Sequence, residues 1–379
     1  LKNIFEKYGF NPIETSAMEN LDTLIGQYGN EGDKLIFKIL NSGDFLSTAD
    51  INKDTSSTSI IKDISQKALR YDLTIPFARY VASNRNEIVF PFRRYQMQNV
   101  WRADRPQKGR YREFFQSDVD IIGTSSLLSE IELLQLCDEI YSSLGIPDIQ
   151  ISINNRKILN GMVEIMDAED SFSDIVIALD KLQKIGLSKV KDEMRSKGVS
   201  DQSITILDKF LNVKNLSELS NLISSSKIGQ EGVSELEFIF QNINKLDINS
   251  SLIFDVSLAR GIEYYTGSII EVRQIDINVG SIAGGGRYDN LTSMFGLDNI
   301  SGVGISFGVD RIYLVMQELD LFPVDIDVKT RVMLANFGEK EALFSLSILK
   351  ELRDNGISSI LYPSSDKIKR QMSYANKKG

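Results

Sequence analysis

The chain has 379 residues, 42% hydrophobic and 25% charged, enough to bury a full core in two or three globular domains. It contains no histidine and one cysteine, Cys137, which excludes zinc–histidine sites, histidine bases, Ser-His triads, internal disulfides and thiolate metal clusters. The 43 basic residues against 52 acidic ones leave a net charge of −9, which argues against non-specific nucleic-acid binding but permits local basic patches. Chemistry in this chain therefore runs on Arg, Lys, carboxylates, hydroxyls and backbone. No uninterrupted apolar run approaches the roughly 18 residues of a membrane helix, and Leu1 starts inside a helical pattern without a basic-then-apolar leader, so a soluble cytoplasmic protein is expected.

From Lys2 to Gln27 an amphipathic helix end passes into an extended stretch, Phe10 to Thr15, with Gly9 and Pro12 interrupting helix. Residues 41–66 are polar and Ser/Asp-rich, which predicts a loop. Alternation over Arg70-Tyr71-Asp72-Leu73-Thr74 predicts a strand, and Pro76 suits the first turn of a helix that Thr74 would cap. The stretch 95–122 reads as two long strands joined by a basic turn around Pro106–Gly109. On a period of two, Gln116, Asp118 and Asp120 share one face while Phe115, Val119 and Ile121 share the other, and the polar face needs a reason. A helix from about Leu127 to Leu144 follows, stopped by Gly145 and Pro147, with Cys137 on its apolar stripe in a packing role.

Over residues 156–249 apolar spacings of three and four, around Leu179, Leu182, Ile185, Leu207, Leu211, Leu219 and Leu222, predict a helical insertion. Extended patterns resume at Ser251–Val256, Gly267–Val272, Gly280–Ala283 and Gly302–Gly308, the last leading into a helix over Val309–Leu319. After a linker at Phe322-Pro323, strand (Arg331–Ala335), helix (Ala342–Arg353), strand (Ile357–Tyr362) and a basic helix form a βαβα pattern. A compact α/β domain would normally add further strands to it.

Two basic clusters stand out. Residues 93–112 hold Arg93, Arg94, Arg102, Arg105, Lys108, Arg110 and Arg112 against Asp104, and residues 367–378 hold Lys367, Lys369, Arg370, Lys377 and Lys378. For the second, a solvated face and RNA contact stay equally open. Within the first lie Phe92-Arg93-Arg94-Tyr95 and Trp101-Arg102-Ala103-Asp104-Arg105-Pro106-Gln107-Lys108-Gly109-Arg110-Tyr111-Arg112-Glu113-Phe114. Arginine forks at a strand end and on the following loop suit phosphate oxygens, whereas the bland alternative pairs them with Asp104 and Glu113. Leu258-Ala259-Arg260-Gly261-Ile262-Glu263-Tyr264-Tyr265-Thr266-Gly267 sets an arginine beside glycine and two tyrosines. Tyr-Tyr alone is more often core, and Arg260 has Glu263 as a local partner. Ser281-Ile282-Ala283-Gly284-Gly285-Gly286-Arg287-Tyr288-Asp289 offers backbone free of side chains as a pocket floor. Gly302-Val303-Gly304-Ile305-Ser306-Phe307-Gly308-Val309-Asp310-Arg311 carries its glycines within the strand, unlike a dinucleotide loop, and a pairing of Asp310 with Arg311 stays open.

These four segments resemble, in order, motif 2, the two histidine-specific peptides and motif 3 of the histidyl-tRNA synthetases, a class II aminoacyl-tRNA synthetase family. Arg70-Tyr71-Asp72-Leu73-Thr74 is similar to the family's amino-group-binding segment in its eukaryote-like form. The resemblance implies an α+β fold: a class II antiparallel sheet flanked by helices over residues 1–155 and 250–322, a helical insertion at 156–249, and an apparently incomplete α/β anticodon-binding domain at 328–379. It implies a histidine–tRNA ligase that uses ATP as a substrate with Mg2+, whose ligands the sequence does not identify. No protein metal site is implied; L-histidine, ATP and tRNA(His) are the partners, and a homodimer is expected. Arg102 and Arg260 are expected near the α-phosphate, Arg110 and Arg311 near the outer phosphates. Asp72, Leu73, Thr74 and Gln116 fall to the histidine backbone groups, Asp120, Tyr264 and Tyr265 to the imidazole end, and Gly285 to the pocket floor.

Motif 1 resembles Gly9-Phe10-Asn11-Pro12-Ile13-Glu14-Thr15-Ser16, with Ser16 where the family usually has proline, and Asn99 also replaces a usual proline. The family's segment before motif 1 is missing from the sequence, which suggests a partial chain. A non-catalytic alternative is the regulatory subunit of ATP phosphoribosyltransferase, which resembles the synthetases in fold. Arg102, Gln116, Arg260 and Arg311 are all present here, which favours the ligase.

Overall fold

The computed structural model describes all residues except 48, 51–55, 260–263, 324–329 and 379, and only the backbone of 30, 31, 57 and 58. Its contacts divide the chain into two compact units, Leu1–Leu319 and Asp320–Gly379. Eight strands form the main sheet of the first: β1 (Asn11–Pro12), β2 (Phe92–Trp101), β3 (Glu113–Ile122), β4 (Ile149–Asn155), β5 (Ser251–Phe254), β6 (Ser268–Gln274), β7 (Ala283–Tyr288) and β8 (Gly302–Gly308). Their order is β1-β2-β3-β8-β7-β6-β4-β5. The six inner strands pair antiparallel, as expected, whereas the edge pairs β1–β2 and β4–β5 are parallel, so the sheet is mixed.

Alternation sends the apolar set of β3, including Val119 and Ile121, into the core. The Leu128–Ser143 helix packs on this side: Tyr141 is fully buried 6.2 Å from the ring of Phe307 on β8. Cys137 is buried beside it. Insertion helices run from Arg156–Ile165 to Lys227–Ile243, and Asn155, Ser200, Asn215 and Ser226 cap four of them through side-chain oxygens. The first and last cross at glycine: a Cβ on Gly161 would lie 2.6 Å from the Cα of Gly229. These helices belong to the first compact unit. Among the described residues no helix is long and apolar enough to cross a membrane.

Three local expectations are corrected. The predicted loop at 41–66 contains the Ser57–Ile64 helix, closed by a capping box between Ser56 and Ser59. The strand expected over Arg70–Thr74 lies earlier, at Lys67–Leu69, and Thr74 is the first residue of the Thr74–Ser83 helix. Asp72 supplies the capping oxygen instead, accepting from the N–H of Ile75 at 3.2 Å. The strand expected at Gly280–Ala283 begins only at Ala283, because pairing with β6 and β8 selects the glycine run. In the second unit Val332–Leu334 and Ser359–Leu361 pair in parallel, with helices Glu339–Asp354 and Ile368–Lys378, giving the predicted βαβα order.

Candidate active site

The polar face of β3 is a designed surface of the sheet rather than a solvated one. Register aligns Gln116, Asp118 and Asp120 with Gln98, Gln96 and Arg94 on β2, and with Gly308, Ser306 and Gly304 on β8. Gly284 and Gly286 of β7 continue the same rows. Directly opposed partners point the same way, so three strands deliver polar groups to one face and glycines leave room above them. A Cβ on Gly304 would overlap Oδ1 of Asp120.

Asp118 and Asp120 are each at most 3% exposed, and Arg94 is wholly buried. Asp120 forms an ion pair with Arg94 at 2.7 Å and accepts a hydrogen bond from Tyr288 Oη at 2.6 Å. Arg94 also donates to Gln96 Oε1 at 3.2 Å and lies 4.2 Å over the ring of Phe77. Burial pushes the Asp120 acid upward, opposed by Arg94 and Tyr288. Burial pushes Asp118 up to about 7, against the pull of Arg94 and with the like charges of Asp120 and Asp72 adding to the rise. Gln116 Nε2 donates to Ser306 Oγ at 2.5 Å and reaches Asp118 Oδ1 at 3.4 Å, while its buried Oε1 has no protein donor.

Asp72 joins this face from the turn before the Thr74–Ser83 helix. Its Oδ1 accepts from Tyr28 Oη at 2.9 Å as well as from Ile75 N–H. Burial raises its acid, with Arg102 opposing. Thr74 shares a hydrogen bond with the hydroxyl of Tyr264, and that ring stands edge-on to Tyr265 at 5.0 Å and to Tyr288 at 6.3 Å. Tyr265 packs against β7, where a Cβ on Gly286 would come within 2.9 Å of its ring. The expected Asp72, Thr74, Gln116, Asp120, Tyr264 and Tyr265 thus converge. Leu73 is fully buried between two of them, so only its backbone remains for a ligand. Gly285 alternates to the opposite face, paired with Ile305, and a Cβ there would overlap the carbonyl of Gly304. Its side-chain-free backbone serves strand packing, and Gly284 and Gly286 flank the polar face.

At the rim, Arg102 donates from Nε to the Tyr71 carbonyl at 3.0 Å and stacks 4.2 Å over the Tyr71 ring. Arg110 pairs with Asp104 at 3.3 Å, the local pairing left open above. Arg311 donates to the carbonyls of Gly109 at 3.0 Å and Ser281 at 2.7 Å, joining motif 3 to the motif 2 turn. Asp310 Oδ2 accepts from Phe115 N–H at 2.9 Å. Arg260 lies outside the described residues, together with Gly261, Ile262 and Glu263.

Sequence reading missed Tyr28, Arg94, Tyr288 and Ser306. Arg94, Gln96 and Gln98 carry a period-two polar signal on β2 that mirrors β3. Tyr28 had none, since 44 residues separate it from Asp72.

With this geometry in view, comparison with known proteins gives one answer. The family profile described as histidyl-tRNA synthetase matches residues 44–312. The chain is 51% identical to the histidine–tRNA ligase of Porphyromonas gingivalis over 99% of its own length and 84% of that protein. It is 52% identical to that of Azobacteroides pseudotrichonymphae over 99% of its length and 83% of that protein. Among solved structures, histidyl-tRNA synthetase from Nostoc sp. superposes with a TM-score of 0.77 at 29% identity, covering 100% of this chain and 84% of that one. A Bacillus halodurans protein described as an ATP phosphoribosyltransferase regulatory subunit/histidyl-tRNA synthetase also reaches 0.77, but at 20% identity, over 98% and 89% of the two chains, that likeness bears on the fold alone. The profile and the relatives agree with the buried polar face in one assignment: the chain belongs to the histidyl-tRNA synthetase family, with its class II α+β fold.

Proposed function

We propose that the polar face of β3 is the histidine pocket of an ATP-dependent histidine–tRNA ligase and that the arginine rim beside it holds the nucleotide. The observation that carries this reading is the row of Gln116, Asp118 and Asp120 on one buried face, with Asp72 near Asp118 and a buried Gln116 oxygen that has no protein donor. Asp72, Thr74 and Gln116 take the backbone groups of histidine, with Leu73 contributing main chain and Gly284 and Gly286, rather than Gly285, flanking the floor. Asp120 and Tyr265 read the imidazole, with Tyr264 as the wall beside them. Although Asp120 already meets Arg94 and Tyr288, each carboxylate oxygen has two acceptor positions, so an imidazole N–H still finds one.

The histidine carboxylate, ionised at neutral pH, attacks the α-phosphorus of ATP in line and pyrophosphate leaves; no general base is needed for this step. The terminal ribose hydroxyl of tRNA(His) then attacks the adenylate carbonyl, releasing AMP. Catalysis rests on positioning and cationic stabilisation. Arg102 and Arg260 serve the α-phosphate, Arg110 and Arg311 the outer phosphates. For Arg311 the carbonyls of Gly109 and Ser281 would give way to phosphate oxygens, which make stronger, charge-assisted bonds. Mg2+ is expected to travel with ATP. Among the described residues no group of three or more acidic or cysteine side chains is arranged to hold a metal.

Residues 1–155 and 250–322 form the catalytic domain in this reading, 156–249 an insertion, and 328–379 part of an anticodon-binding domain whose basic Ile368–Lys378 helix faces RNA. The enzyme would act as a cytoplasmic homodimer. ATP–pyrophosphate exchange with each amino acid in turn tests the assignment, and exchange is expected with histidine alone. Histidine binding without exchange would replace it by a non-catalytic regulatory subunit.

A further inference from the structure

Among the described residues, the buried face of β3 holds more acid than its cations match. Of its three carboxylates, Asp120 is ion-paired with Arg94 and Asp72 has Arg102 as its opposing charge. Asp118 has hydrogen-bond partners that are neutral, Gln116 and Ser306, while Arg94 acts on it only as a neighbouring charge already paired with Asp120. The remaining titratable groups facing it are Tyr264 and Tyr288, whose hydroxyls burial keeps protonated and neutral. Removing a carboxylate from water without a cation is costly, and such a group persists where a ligand completes the balance.

The next position on the same face, Gln116, holds the unpartnered buried acceptor. Asp118 Oδ1 lies 3.4 Å from the amide nitrogen of that side chain. Asp72, the third acceptor, is close enough for its charge to act on Asp118. An alkylammonium group has three N–H donors and one positive charge, which matches three acceptors and one excess carboxylate. An imidazole meets neither requirement as well, because it offers donors only along its ring plane and carries no charge in its neutral form.

We propose that Asp118 is a further histidine-binding residue, which with Gln116 and Asp72 receives the α-ammonium group of the amino acid and balances its charge. This rests on the pocket reading given above and deepens it. Empty, the site holds a proton on Asp118 at pH values near and below about 7. Arrival of the ammonium favours the carboxylate, so the proton leaves to solvent, and histidine binding tightens as pH rises through neutrality.

Calorimetry of the whole protein with three ligands tests this: histidine, histidinol, which keeps the ammonium but lacks the carboxylate, and imidazolepropionate, which lacks the ammonium. Asp118→Asn retains the shape of the side chain, and should weaken histidine and histidinol by about tenfold while leaving imidazolepropionate unchanged. Equal weakening of all three, or of none, overturns the assignment. Should the variant not fold, the wild-type protein decides: titrations at pH 7 in two buffers of different ionisation enthalpy, corrected for the proton each ligand's own imidazole contributes, should show proton release with histidine and none with imidazolepropionate. Equal proton release with both ligands overturns it. Failure of the wild-type protein to bind histidine at all would instead overturn the pocket reading.

Discussion

The pocket and its rim handle charge in opposite ways. In the pocket Arg94, Asp120 and Tyr288 pair with one another through side chains of β2, β3 and β7, shut away from water. At the rim Arg102 and Arg311 donate to main-chain carbonyls of Tyr71, Gly109 and Ser281, neutral acceptors that a phosphate can displace. A buried ion pair fixed in a sheet gives selection with little reorganisation. An arginine oriented by carbonyls is in place before the nucleotide arrives. In the proposed reading, amino-acid specificity is built into the sheet, while nucleotide binding is built on exchangeable contacts at its edge.

The largest effect is expected for the arginine proposed to act on the α-phosphate. Arg260→Ala should slow adenylate formation by about a hundredfold and leave transfer of histidine from supplied adenylate to tRNA nearly normal, because the cation acts on the α-phosphate alone. Rapid-quench measurement of the two half-reactions checks it, and equal losses in both would assign Arg260 a role in holding the peptide with Glu263. Next comes the pocket itself. Asp120→Ala should raise KM for histidine by about tenfold or more with little change in KM for ATP. It should also lower stability by about 3 kcal/mol, since Arg94 is left buried without its counter-charge. An unchanged histidine KM would remove Asp120 from substrate recognition.

A rim substitution should show the reverse pattern. Arg311→Ala is expected to raise KM for ATP by about tenfold while histidine binding, followed by calorimetry, stays constant. Loss of histidine binding would show that the Gly109 and Ser281 contacts shape the pocket as well. The smallest effect concerns pH. Because Asp118 is raised in the folded chain, that chain keeps a proton which the unfolded chain gives up above about pH 4. Stability is therefore lost as pH rises from there to about 7, and the deficit persists above. Asp118→Asn removes the deficit, so its Tm should exceed that of the parent by about 2 °C or more at pH 8, with a smaller gain at pH 5.

Much of this architecture was legible in one dimension. Period two over Gln116–Ile121 predicted a strand with one polar face, and spacings of three and four predicted the helices after Asn155. The segment from Arg70 to Thr74 was misread because alternation over five residues does not distinguish a strand from a capped turn: what decided it was the bond from Ile75 N–H to Asp72. The site residues Asp72, Thr74, Gln116, Asp120, Tyr264 and Tyr265 were found by resemblance, and the structure brings them together. Gly285 was chosen from a run of three glycines, and only pairing with Ile305 reveals which face each glycine takes.

By itself, then, the sequence determined strand and helix periods, the family and the residue types available for chemistry, since these depend on neighbours along the chain. Only in three dimensions does Arg94 pair with Asp120, Tyr28 reach Asp72 and Asp118 lie buried against the neutral side chains of Gln116 and Ser306. Charge balance is a property of groups brought together across strands from distant parts of the chain, where desolvation sets the cost of every unpaired one.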